Sequence, residues 1–166
     1  MLNIVLYEPE MPANTGHIGR TCVITGAKLH LIQPLGFHLS EQAVKRAGLD
    51  YWPRLNYEVY LDYNDFLEKN PGAKDNLFFA TTKARYRYTD VSFTDDSYIM
   101  FGKESAGIPE EILVDSPEKC IRIPMKPGER SLNLADSVAI VTFEALRQMD
   151  FKGLESEGNL HKLSWD

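Results

Sequence analysis

Cysteine is nearly missing: Cys22 and Cys120 are the only two among 166 residues, and they form no CxxC pair. A disulfide framework and a thiol redox motif are therefore excluded, and both cysteines read as reduced packing residues in apolar segments. The four histidines, His17, His30, His38 and His161, show neither HxxxH nor HxH spacing, so no metal site is expected. No apolar run reaches the roughly 18–20 residues a bilayer span needs, so no membrane partner is expected. The opening "MLNIVLYEPE" has no basic leader and an early glutamate, which reads against a secretion signal and for the cytoplasm. Internal repeats, low-complexity tracts and linkers are absent too.

What is present is a core. Apolar residues make up 43% of the chain, with eight Tyr, eight Phe and two Trp, enough to exclude a disordered chain and to build one domain. The net charge of −6 argues mildly against a nucleic-acid partner, but binding depends on a local basic face and not on the sum. Residues 1–54 carry five Lys/Arg against four Asp/Glu, so the acidity sits in later segments.

Strand and helix signals alternate. Leu2–Tyr7, Leu29–Ile32, a weak segment near Val59, "NLFFATT", "YIMFG" and "KCIRIP" read as strands, the fourth and fifth as the clearest central ones. Helices are expected from about Asn14, capped by Asn14 or Thr15, to Gly26; over Ser40–Ala47, ending at Gly48; over Asn64–Lys69; and after Pro109. The last helix runs from about Leu132 to Met149, with Leu134, Val138, Val141 and Ala145 as its buried stripe. The implied fold class is α/β with a mostly parallel sheet, whose ligands bind where loops gather at the carboxyl ends of strands. Residues 1–153 form the domain and 154–166 a polar tail, in which Trp165 is a candidate to dock.

Three such loops carry chemistry. "EPEMPANTGHIGR" offers a helix N-terminus as an anion site, with Arg20 further along to take a phosphate or carboxylate in forked geometry. Taken alone it is also a capped helix with a surface arginine. Gly16 and Gly19 supply only half of a dinucleotide fingerprint. "FGKESAGIPEEI" spaces Gly102 and Gly107 like a phosphate loop, but Ile108-Pro109 stands where Lys-Ser/Thr belongs, so a nucleotide triphosphate cradle is rejected. "IRIPMKPGERSLN" places ten residues, 124–133, between a strand and a helix, stiffened by Pro124 and Pro127 and reversed at Gly128. Ser131 stands where an N-cap belongs, and Asn133 falls in the first turn. Separately, Lys83, Arg85 and Arg87 alternate with Tyr86 and Tyr88, a pattern suited to single-stranded RNA and equally to a solvated edge strand.

Together these loops resemble the three motifs of the SPOUT methyltransferases, SpoU/TrmH branch. Asn14 and Arg20 match the first, Gly102 and Glu104 the second, and Ile123, Pro124, Met125, Ser131, Leu132 and Asn133 the third. "NIVLYEPE" and "RAGLDYW" extend the similarity to the minimal YibK/TrmL group over about residues 1–150. The resemblance implies a SPOUT fold with a C-terminal deep trefoil knot and a homodimer. The implied cofactor is S-adenosylmethionine, released as S-adenosylhomocysteine. The implied reaction is 2′-O-methylation of the wobble nucleotide 34, cytidine or modified uridine, in the tRNA anticodon loop. It assigns the cofactor to Ala80, Thr81, Gly102, Ile123, Met125, Ser131 and Leu132. Arg20 serves as the central catalytic residue, with Asn14, Glu104, Ser131 and Asn133 orienting it and the ribose. Lys83, Arg85 and Arg87 are candidate RNA contacts. His17, Lys103 and Phe143 depart from the family pattern, as does "ADS" after the third motif. Alternatives are methylation of another tRNA or rRNA ribose, a non-catalytic RNA-binding protein, and a flavodoxin-like nucleotide binder, the last disfavoured by the missing phosphate loop.

Overall fold

A computed structural model describes residues 1–39 and 50–165. The expected Ser40–Gly48 helix lies outside the described residues. Seven strands form one sheet: β1 (Asn3–Tyr7), β2 (Lys28–Ile32), β3 (Tyr57–Tyr60), β4 (Leu77–Ala80), β5 (Tyr86–Arg87), β6 (Tyr98–Phe101) and β7 (Cys120–Arg122). Their order is β3-β2-β1-β6-β4-β7-β5, and every neighbouring pair is parallel. Tyr86–Arg87 is thus the edge strand that one reading of "RYRY" expected.

Alternation along the central strands builds two cores. Ile4 and Leu6 face one side with Leu29, Leu31, Ile99 and Phe101, while Val5 faces the other with Ile32, Phe79 and Met100. On the first side lie α1 (Pro12–Thr25), contributing Ile18 and Cys22, and α5 (Leu134–Gln148), contributing Val138, Val141 and Ala145. The second side takes Phe66 of α2 (Tyr63–Lys69), Ala73 of α3 (Ala73–Asn76) and Leu113 of α4 (Glu110–Leu113). Both cysteines are buried and unpaired, and burial pushes the Cys22 thiol up to about 12.

Two helix starts differ from expectation. The first helix begins at Pro12, with Met11 as its N-cap, so Asn14 and Thr15 are buried inside the helix and cap nothing. Proline at the first position is pre-set for helix and needs no N–H partner, which moves the start upstream. The last helix is capped by Asn133, whose Oδ1 accepts from Ala135 N at 2.8 Å and Asp136 N at 3.4 Å. Ser131 stays in the loop. At the other end of α1, Gly26 adopts φ 71° and returns its N–H to Cys22, as its position predicts. Trp165 is 74% exposed.

The chain leaves β1 toward β2 on one side and later fills β6, β4, β7 and β5 on the other. This reversal beside β1 makes the carboxyl ends of β1 and β6 the place for a ligand crevice.

Candidate active site

The loops leaving β1 and β6 are joined by Glu104. Its carboxylate accepts from the backbone N–H of Glu10 at 2.8 Å and Met11 at 3.2 Å, and from Asn14 Nδ2 at 3.0 Å. The anion site expected at the start of α1 is therefore filled by the protein's own carboxylate, where the helix dipole favours it. Asn14 Oδ1 in turn accepts from Asn133 Nδ2 at 3.0 Å, while Asn133 Oδ1 caps α5. One continuous chain of hydrogen bonds thus links a residue from each of the three loops. Both amides are held in a single orientation, because each oxygen faces a donor and each nitrogen an acceptor.

Two further contacts fasten the same loops. Glu10 accepts from both the N–H and the hydroxyl of Ser105 at 2.8 Å, bonds that hold its carboxyl below the usual range. Lys103 donates to Glu8 at 2.7 Å, which raises its ammonium pKa. Gly102 is required by the turn itself: a Cβ there would sit 2.1 Å from the Gly107 carbonyl carbon and 2.2 Å from Ile108 N. Lacking a side chain, it lets the turn close on itself.

Over this network opens a cleft of about 430 Å³ at the ends of β4, β6 and β7. All seven residues expected to hold the cofactor line it, and so do Asn14, Glu104 and Asn133. One wall is apolar, with Ile121, Ile123, Met125, Leu132 and Leu134; the other is the hydrogen-bonded floor. Size and mixed lining suit a small, elongated, amphiphilic ligand. The residues fit S-adenosylmethionine, and among the described residues no group of His, Cys, Asp or Glu is gathered for a metal. Tyr88, expected as a ring for stacking on RNA, also lines the cleft, as do the strand-end residues Thr82 and Arg122, which were not expected there. Only their position beside β4 and β7 could have signalled them.

Other expected residues stand apart. Arg20 does not line the cleft; it lies on the exposed flank of α1, 3.7 Å from Asp50 and over the Tyr51 ring at 4.9 Å. Tyr51 hydroxyl donates to the Gly16 carbonyl and so fixes the ring beneath the guanidinium. Lys83 reaches the cleft mouth but pairs with Glu110 at 3.0 Å, and Arg87 pairs with Asp90 at 2.8 Å. Arg85 is exposed.

Comparison with known proteins matches this arrangement. A profile of the SpoU rRNA Methylase family aligns with residues 1–143. The chain belongs to this family. Among its SpoU relatives, the tRNA (cytidine(34)-2'-O)-methyltransferase of Escherichia coli strain K12 is 48% identical over 155 residues, covering 92% of this chain and 97% of that one. The enzyme of the same name from Photorhabdus asymbiotica is 47% identical over 157 residues, again covering 92% and 97%. A solved structure described for 2-OH methylation of C/U34 on tRNA superposes with a TM-score of 0.83 at 42% identity, covering 92% of this chain and 98% of that one. An AdoMet-bound rRNA methyltransferase from Sinorhizobium meliloti superposes at 0.76 with 25% identity, covering 89% of this chain and 56% of that one.

Proposed function

We propose that this SpoU family member is an S-adenosylmethionine-dependent RNA 2′-O-methyltransferase whose target is nucleotide 34 of tRNA, cytidine or modified uridine. The observation that carries the reading is the convergence of all three motif loops on one cleft, tied by the Glu104–Asn14–Asn133 chain. Identity of 47% and 48% over nearly the whole chain to relatives named for the same reaction supports the choice of substrate.

Bound in the cleft, the cofactor supplies a methyl group already activated on a sulfonium. The protein's task is alignment and charge stabilisation. Ile123, Met125 and Leu132 enclose the apolar wall, and the prolines at 124 and 127 limit the conformations that loop must lose on binding. Glu104, Asn14 and Asn133 keep the floor rigid. Arg20, a guanidinium, is poorly suited to act as the base. Its role is to fix a substrate phosphate and stabilise the developing alkoxide of the 2′-hydroxyl.

Because Arg20 lies outside this chain's own cleft, the same reading includes a homodimer that brings the arginine of one protomer and the cleft of the other to one RNA. Exposed Ile140 and Phe143 on α5 and Ile24 on α1 support such a covered face. The family's C-terminal knot enters on the same footing.

The test is incubation of the purified protein and methyl donor with total tRNA from a strain lacking it, followed by mass-spectrometric mapping. A new 2′-O-methyl group at nucleotide 34 is expected. Methylation confined to another tRNA or to rRNA would replace the substrate, and no transfer would refute the activity.

A further inference from the structure

A second recess, of about 720 Å³, adjoins the cofactor cleft. Thr82, Arg122, Met125 and Ser131 belong to the walls of both, so the two spaces meet along that seam. The recess is further lined by Arg87, Lys126 and Glu129, with Pro124 and Pro127 as its apolar side.

Its charge is unbalanced at one position. Arg87 and Arg122 are register partners between β5 and β7, so their side chains leave the sheet side by side on one face. Like charges so placed repel unless compensated. Arg87 is compensated: Asp90 accepts from its Nε at 3.0 and 3.1 Å and lies 2.8 Å from its terminal nitrogen. Among the described residues Arg122 forms no ion pair, although it is half-buried. Glu129, the one carboxylate on the wall, pairs with neither Arg122 nor Lys126. A half-buried guanidinium beside another cation, at the edge of a solvent-open recess, is completed by an anion from outside. Its planar fork matches phosphate oxygens two at a time.

We infer that Arg122 holds a phosphodiester of the RNA substrate, with the recess receiving the nucleotide next to the one whose ribose reacts. This rests on the RNA-methyltransferase reading above. Arg87 and Lys126 add a positive rim, and the Pro124–Pro127 segment gives the neighbouring sugar an apolar surface. The loop that encloses the cofactor on one side would thereby contact the RNA on the other.

The experiment is binding of an anticodon stem-loop RNA across a salt series, for the wild type, Arg122→Gln, Arg122→Lys and a control, Lys74→Gln. Lys74 lies on α3, just before β4 and therefore at the opposite end of the sheet from the cleft. Arg122→Gln is expected to bind the RNA on the order of tenfold more weakly, a loss clearly larger than the change in cofactor affinity by calorimetry, since the side chain also borders the cleft. Its log–log salt slope should shrink by about 0.7 to 0.9, the contribution of one phosphate contact. Arg122→Lys should keep the wild-type slope and lose a few-fold in affinity, which carries the test if the glutamine variant does not fold. Lys74→Gln should match the wild type. Wild-type RNA affinity in both Arg122 variants, or an equal loss of cofactor affinity, overturns the inference. Failure of the wild type to bind the RNA at all overturns the functional reading instead.

Discussion

Asn133 does two jobs with one amide: its oxygen caps α5 and its nitrogen holds Asn14. Asn133→Asp separates them. The aspartate still caps and still suits the helix N-terminus, but it presents an acceptor to the Asn14 oxygen. Leaving that acceptor unpaired costs about 1–3 kcal/mol. That cost should lower the melting temperature by a few degrees, and the turnover number should fall by about tenfold or more because the floor is no longer held in one arrangement. A normal rate would show that the link between the loops is incidental. Arg20→Ala addresses the other half of the site. Because Arg20 does not touch the cleft, cofactor affinity should stay near normal while methyl transfer is abolished; comparable loss of both would refute that division of labour.

At the scale of elements, the glycine turn after β6 is the least forgiving part. Gly102→Ala places a methyl group against backbone that cannot swing away, an overpacking cost of about 3 kcal/mol or more. Denaturant unfolding should register that loss, and calorimetry should register weaker cofactor binding because the turn carries Glu104. The strands themselves were legible: "LFFA" and "YIMF" are continuous apolar runs, which is what a parallel strand covered on both faces requires. The helix starts were not, since Asn14 and Ser131 have the right side chains for caps, but Pro12 and Asn133 outcompete them. Nor was the hydrogen-bond chain, because Asn14 meets partners 90 and 119 residues away and no local pattern encodes that. The motif residues could be named together only through resemblance. Their joining, and the exposed position of Arg20, needed the fold.

For the whole molecule, stability carries one readable pH signature away from the site. His30 is fully buried, with Nδ1 2.7 Å from the Tyr60 hydroxyl and Nε2 3.0 Å from Asn3 Oδ1. The amide oxygen can only accept, so Nε2 carries the proton and Nδ1 accepts from the tyrosine; burial pushes the imidazole pKa down to about 3. Above the unfolded value of about 6.5 both states are neutral and the group adds no pH dependence. Below it only the unfolded chain takes up a proton, so stability should fall by about 1.4 kcal/mol per pH unit, down to the folded value. Denaturant midpoints between about pH 6.5 and 5, above the main carboxylate range, should show this slope. A His30→Gln variant should lack it, and an equal slope in the variant would assign it elsewhere. The functional claim at this scale is that the molecule reacts with one ribose hydroxyl. It is tested most directly with two anticodon stem-loops that differ only in carrying ribose or 2′-deoxyribose at nucleotide 34, each incubated with labelled methyl donor. Label should enter the first and be absent from the second; equal labelling of both, or none in either, would contradict it.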